Sequence, residues 1–506
     1  MKKIILFAKI IIFACFSSQL FGQTSGTEGL LYALIDEGKA YKISMGSATA
    51  SNIVIPETYK NLPVKEIAER GFTNSKQLSS IKIPKSVKTI ANRAFAGCQK
   101  LTDIEIPNSV TSIGEEAFYD CQSLTHLKIP NSVTRIEKRT FESCRNLKRI
   151  DIPNSVTFIG DMVFANCRNL TDITLPQGIP SIGRYAFDEC RNLEQITIPN
   201  SVTTIDEKAF RSCEKLTELH IPNSVTTIGD YAFYKCNNLT EIAIPNSVTN
   251  IGDFAFSECD KLSKVTIGNG VTKMMNTKGL NYSVFAECEN LTTIVLTEGL
   301  QAIGNYWFYD LNSLTNINIP NSVKSIGDYA FANCNNLTEL VIPNNVTSIG
   351  QSAFKKCEKL VSVNIPNGVT FIEFATFADC KNLKSITIPN GVTGIDNAAF
   401  ESCGSLTEMI IPNSVTRLGT AVFRACTGLT DVTIPNSVTQ MGDRVFYNCK
   451  NITRIVIPKS VTKLGENISL GCAKSLTIYA EAPSQPAEWD AKWNNGNYKV
   501  VWGHKP

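Results

Sequence analysis

The sequence predicts a solenoid. Stacked coils would form a curved parallel β-sheet, with one strand and a short helical turn in each 23-residue repeat. Cys98, Cys121, Cys144, Cys167, Cys190, Cys213, Cys236 and Cys259 fall 23 residues apart, and so do Cys334, Cys357, Cys380, Cys403, Cys426, Cys449 and Cys472. The same apolar places recur around each Cys. A period between about 20 and 50 residues is the signature of stacked units, none of which can bury its apolar face alone.

Each element of the repeat has a local reason. Leu101, Ile104 and Ile106 follow Cys98, and the two Ile alternate with Asp103 and Glu105, which is the strand period. The Ile pair points inward. Pro107 has no N–H for a ladder and closes the strand. Asn108-Ser109 turns the chain, and Val110 and Ile113 bring it back inward. Gly114 permits a sharp corner. Asp230, Asp253 and Asp328 follow the Gly of sister repeats and would N-cap a single helical turn. Ala117, Phe118 and Cys121 form the buried side of that turn, and Phe118 is its largest piece.

The pattern Cys-x-x-Leu-x-x-Ile-x-Ile-Pro-x-x-Val-x-x-Ile-Gly-x-x-Ala-Phe resembles the 23-residue leucine-rich repeat of the BspA, or treponemal, type. The resemblance covers about residues 50–480. It implies a leucine-rich repeat solenoid, either an α/β-type horseshoe or a right-handed superhelix. It also implies a bacterial surface or secreted protein that binds other proteins, as adhesins do with host matrix proteins or other bacteria. The general leucine-rich repeat wants Asn where Ser109 stands; here the segment is Pro-Asn-Ser.

Composition narrows the classes. The unbroken period overrides the several domains that 506 residues would suggest. A net charge of +3, with Lys and Arg interspersed among Asp and Glu, favours neither nucleic acid nor an anionic membrane. Seventeen Cys would mean a disulfide scaffold in a short secreted chain. Here each repeated Cys takes the same inward slot. Stacked Cβ atoms about 4.8 Å apart exceed the roughly 3.5–4.5 Å a disulfide needs. The residues are therefore expected as free, packed thiols, and Leu311 occupies one slot as a hydrophobe would.

In chain order, Met1–Gly22 reads as an export signal, with Lys2 and Lys3 before the apolar run. A lipidated Cys15 is the disfavoured alternative, and the run is too short to span a membrane. Residues 23–70 read as an N-terminal cap, with strands near Leu30–Ile35 and Tyr41–Ile43 around the turn Asp36-Glu37-Gly38-Lys39. The solenoid runs over 71–472, with an irregular insertion within 268–311 that includes Lys273–Leu280. Residues 473–506 read as a C-terminal cap whose Trp489, Trp493 and Trp502 form its apolar underside.

Catalysis needs unlike groups converging in a pocket, whereas the array offers like groups along a line. His126 and His220 lie too far apart to share a metal. No phosphate loop, zinc motif or nucleophile elbow occurs. The chain is read as a non-enzyme with no cofactor or metal. Binding is expected on the concave face, five and seven residues after each Cys. Early coils carry charges there, including Glu105, His126, Lys128, Arg149 and Asp151. Later coils carry Val295, Asn316, Asn318, Val341, Asn364, Ile410 and Val456, which are the candidate ligand-binding residues. The alternative is a self-associating structural protein of the cell envelope with no host ligand.

Overall fold

The computed structural model describes residues 26–505 except 275–281. Residues 1–22, read from the sequence as an export signal with Cys15 among them, and most of the inserted loop lie outside the described residues. The chain divides into two compact units, Met1–Ser201 and Val202–Pro506. Each is a parallel β-solenoid whose strands pair one repeat on. His126 sits opposite Arg149 and Arg149 opposite Asp172 in the first unit, and Glu408 sits opposite Asp431 in the second.

The first unit begins with β1 (Leu31–Ile35) and β2 (Ala40–Ser44), an antiparallel hairpin. Asp36, Glu37 and Gly38 turn it at φ 51°, 54° and 85°. A second hairpin joins β4 (Thr58–Tyr59) to β5 (Leu62–Ile67). From β2 and β5 a parallel ladder continues through Thr89–Ile90 and Ser112–Ile113. A separate ladder starts at β3 (Asn52–Val54) and continues through Ser80–Lys82 and Asp103–Glu105. Each coil thus contributes two extended segments, where the sequence suggested one. The return segment around Ile113 is extended enough to pair with its neighbours.

The expected helical turn is absent. Among the described residues the only helical segment is the 3-10 turn Asp36–Gly38. Between Gly114 and Cys121, Glu116 and Asp120 have φ of 53° and 56°, in the left-handed region that breaks an α-helix. The backbone donors alternate instead. The amides of Ala117, Tyr119 and Cys121 bond three residues back, at 3.0–3.3 Å. Those of Glu116, Phe118 and Asp120 bond carbonyls of the next coil, at 2.8–3.0 Å. Every amide of the turn is satisfied, half of them by the stack itself.

Two local expectations are corrected by this arrangement. Asp230 does not cap a helix: its Oδ1 accepts the amide of Asp253 in the next coil at 2.9 Å, and Asp328 does the same for Gln351 at 3.0 Å. The Gly of the repeat is not needed for a left-handed φ. A Cβ on Gly252 would lie 2.4 Å from the Asp230 amide nitrogen, so close approach of the previous coil excludes a side chain.

The core is a set of ladders. In the first unit Phe72, Phe95, Phe118, Phe141, Phe164 and Phe187 stack in sequence with centroids 5.3–5.8 Å apart. In the second unit Phe308 to Phe446 repeat the arrangement at 5.3–5.8 Å. The cysteines from Cys98 to Cys472 are free and buried. Their thiols donate to the carbonyl of the Phe one coil back, as in Cys144 Sγ to Phe118 O at 3.2 Å and Cys357 Sγ to Phe331 O at 3.2 Å. Burial pushes the Cys144 thiol up to about 12, so it stays protonated and able to donate. Leu311 is buried in the same slot without that bond. Trp307, where most repeats have Ala, is also buried, and its carbonyl accepts the Ser283 hydroxyl at 2.6 Å.

Near the C-terminus Thr477–Ala480 and Lys499–Trp502 extend the strand ladder. Trp489 and Trp493 are buried and meet edge to face at 5.0 Å, with Trp502 5.9–6.1 Å away. Trp489 Nε1 donates to the Val461 carbonyl at 3.0 Å, which seats the group on the last regular coil.

Candidate functional site

The segment five to seven residues after each Cys, a strand in most coils, offers two outward side chains. The residue between them is buried, as for Ile150 between Arg149 and Asp151. These outward residues can vary without disturbing the core, so any recognition surface is expected here.

In the first unit the strand face is charged. Arg149 Nε donates to Asp151 Oδ1 at 2.9 Å, and His126 Nε2 lies 3.2 Å from Asp151 Oδ2. Partial burial alone would raise the Asp151 pKa. The hydrogen bonds from Arg149 and His126 outweigh it and hold the carboxyl below its ordinary value. A shallow depression of about 290 Å³ lies over Lys128, Arg149, Asp151, Asp172 and Thr174.

In the second unit the face is less charged. Val341, one residue past the strand Glu339–Leu340, and Ile410, the last residue of Glu408–Ile410, are each 77% exposed, a large fraction for apolar side chains. Asn316 and Asn318 are exposed, and Val295 is half-buried. Val456, expected on the exposed stripe, is buried at 8% exposure. The next strand sets Tyr479 beside it in register, and His504 packs on the Tyr479 ring at 4.8 Å.

Asn364 has a structural task that sequence reading missed. Its side-chain oxygen accepts the Ile342 amide at 2.9 Å, and its NH2 donates to the Ile342 carbonyl at 2.7 Å. In regular coils the backbone fills that place, as when the Ile129 amide bonds the Asp151 carbonyl at 3.0 Å. The side chain intercepts the bond, and the paired strand stops at Val363. Ser385 is joined to Ser362 by an isolated bridge. Among the described residues, no backbone hydrogen bond links Ile386, Thr387 or Ile388 to a neighbouring coil. A depression of about 320 Å³ lies at this lapse, lined by Val341, Ser362, Asn364, Ser385 and Thr387 among others. No lining residue is charged.

The face therefore gathers Val341 and Asn364 around one depression, with Ile410 two coils beyond Asn364. Val295, Asn316 and Asn318 lie on earlier coils of the same unit. Of the inserted loop Lys273–Leu280, residues 275–280 lie outside the described residues. Among the described residues no group of three or more His, Cys, Asp or Glu could hold a metal ion. No helix among them is long and apolar enough to cross a membrane.

Comparison with known proteins accords with this geometry. A family model described as a BspA type leucine-rich repeat region of six copies matches residues 65–193, 159–278, 274–377 and 349–475. A leucine-rich repeat protein from Bacteroides ovatus is 26% identical, covers 90% of this chain and 98% of its own, and superposes with a TM-score of 0.51. A leucine-rich cell surface protein from Faecalibacterium prausnitzii is 29% identical over 81% of this chain and 95% of its own, with a TM-score of 0.34. The leucine-rich repeat protein of T. pallidum is 27% identical over 43% of this chain and 91% of its own, with a TM-score of 0.33. No curated protein matches the chain. With the family pattern matched over most of its length and a parallel β-solenoid to carry it, the chain belongs to the BspA-type leucine-rich repeat family.

Proposed function

We infer that this is an exported bacterial protein, secreted or held at the cell surface, that binds a protein ligand on the strand face of its second unit. The ligand class is a host matrix protein or a surface protein of another cell, so the chain acts as an adhesin. The observation that carries this reading is the pair Val341 and Ile410, both 77% exposed, the first lining an uncharged depression and the second on the coil after its last lining residue, Thr387. Binding at the depression desolvates few charges, and covering the two exposed apolar side chains removes their surface from water. Family membership supports the choice of a protein partner. The export signal over residues 1–22 supplies the route out of the cytoplasm, and residues 23–70 and 473–506 serve as caps on a solenoid over 71–472.

The test is a panel of matrix proteins presented to the parent chain and to the double variant Val341→Asp/Ile410→Asp. Loss of binding with an unchanged melting curve is expected. Undiminished binding by the double variant, together with loss on replacing Glu105, Lys128 and Arg149, would move the site to the charged face of the first unit and refute the reading.

A further inference from the structure

Asn269, Asn367, Asn390 and Asn495 are each followed by Gly. In an Asn-Gly pair the asparagine side chain can close on the backbone, because Gly has no Cβ to shield its own nitrogen and lets the chain rotate into the cyclising geometry. The structure sorts these residues into two pairs. Asn269 follows the strand Lys264–Ile267, which is paired on both sides. Its amide donates to Asn246 Oδ1 at 3.0 Å and its Nδ2 donates to the Glu298 carbonyl at 2.8 Å. Asn495 Nδ2 donates to Asn467 Oδ1 at 3.0 Å, and its amide donates to the Lys492 carbonyl at 3.2 Å. Asn367 and Asn390 are exposed, and among the described residues their side chains and the amides of Gly368 and Gly391 have no hydrogen-bond partner. One backbone bond closes each turn, from the Val369 amide to the Pro366 carbonyl at 3.0 Å and from the Val392 amide to the Pro389 carbonyl at 3.1 Å. The segments that lead into these turns are the ones where strand pairing lapses, after Val363 and over Ile386 to Ile388. Little structure has to open before the turns can rearrange.

We propose that Asn367 and Asn390 are sites of spontaneous deamidation in the folded protein, and that Asn269 and Asn495 are protected. The Gly368 amide nitrogen loses its proton to a base in solvent and attacks Cγ of Asn367. A nitrogen–carbon bond forms, the Cγ–Nδ2 bond breaks, and Nδ2 takes a proton from water and leaves as ammonia. The resulting succinimide takes up one water. Opening at Cγ gives aspartate, and opening at the main-chain carbonyl gives isoaspartate. Gly391 acts on Asn390 in the same way. No oxidant or reductant is needed, and the rate rises with pH because the amide attacks as its anion. Each event adds one carboxylate. The Asn367 turn begins directly after Ile365, which lines the depression whose lining carries no charge. Isoaspartate also lengthens the backbone of the turn by one carbon. The chemistry does not depend on what the depression binds.

Peptide mapping by mass spectrometry, after the purified chain has stood in mildly alkaline buffer and been digested in acid, tests the proposal. Conversion at Asn367 and Asn390 should run about ten-fold or more faster than at Asn269 and Asn495, which must first give up two hydrogen bonds each. The same chain in denaturant should convert at all these sites at similar rates. The variant Gly368→Ser/Gly391→Ser restores the Pro-Asn-Ser turn of sister repeats such as Pro245-Asn246-Ser247. It should keep the parent's melting curve and lose the fast conversion, because a Cβ now hinders the attacking nitrogen. Equal rates at all the Asn-Gly pairs in the folded chain overturn the proposal. So does a folded chain that leaves Asn367 and Asn390 intact while its denatured form reacts, and so does fast conversion that persists in the Ser variant.

Discussion

Replacing Phe233 by Ala should remove one rung of the aromatic ladder without disturbing the backbone bonds around it. The ring is fully buried and lies 5.4 Å from Phe210 and 5.1 Å from Phe256, nearly parallel to both. The Phe233 carbonyl accepts the Cys236 amide at 3.2 Å and the Cys259 thiol at 3.3 Å, and both bonds survive truncation of the side chain. The cost is therefore transfer plus cavity, about 3–5 kcal/mol for a buried Phe. Within it, each lost stacking contact accounts for about 0.5–1.5 kcal/mol. Phe233→Leu keeps most of the volume and should cost about 1.5 kcal/mol. Because each coil touches only its neighbours, the damage should stay local. Hydrogen exchange followed by mass spectrometry should show protection falling by roughly a hundred-fold or more in peptides covering Phe210 to Phe285. Peptides around Phe400 to Phe446 should keep theirs. Equal loss at distant coils would refute the nearest-neighbour argument, and a cost below about 1 kcal/mol would refute the cavity argument.

Alkylation in denaturant without reductant should label all the cysteines from Cys98 to Cys472, whereas native protein at neutral pH should resist, since burial keeps the thiols protonated; widespread disulfide protection would contradict this. Asn364→Ala should destabilise the second unit by about 1–3 kcal/mol, read from denaturant melts, because the Ile342 amide and carbonyl lose their partners together. Arg149→Ala should raise the Asp151 pKa toward its ordinary value, measured by carboxyl NMR titration. The folded pKa is depressed, so the parent's contribution to stability is present above the unfolded pKa and is lost as pH falls through the folded one. The variant should lose part of that contribution, and an unchanged titration would show that Arg149 does not set it. Val341→Asp and Ile410→Asp should each change stability by less than about 0.5 kcal/mol, because both side chains already face water, and a large loss on thermal melting would mean they pack against something.

The repeat, the inward Ile, Leu, Phe and Cys, and the solenoid itself were legible in the sequence. A strict 23-residue period forces identical side chains into register, and only stacking buries them. The free thiols followed from the same spacing. What the period could not convey was backbone conformation inside the turn. Glu116 and Asp120 adopt a left-handed φ although neither is Gly, because bonds from their amides to the next coil repay the local cost, and those bonds exist only in the stack. The repeat's Gly likewise reads as a corner from one coil and as a contact site from two.

The candidate site divides the same way. Sequence alternation placed Val341 and Ile410 on the outward face. It placed Val456 there too, and only the neighbouring strand, with Tyr479 in register, buries it. Nor could spacing reveal that Asn364 folds back on Ile342 and ends the paired strand at Val363. Alternation fixes the direction in which a side chain leaves the backbone. Whether it meets solvent, a ring or the backbone of another coil depends on what the fold brings alongside, from residues 22 or 23 positions away.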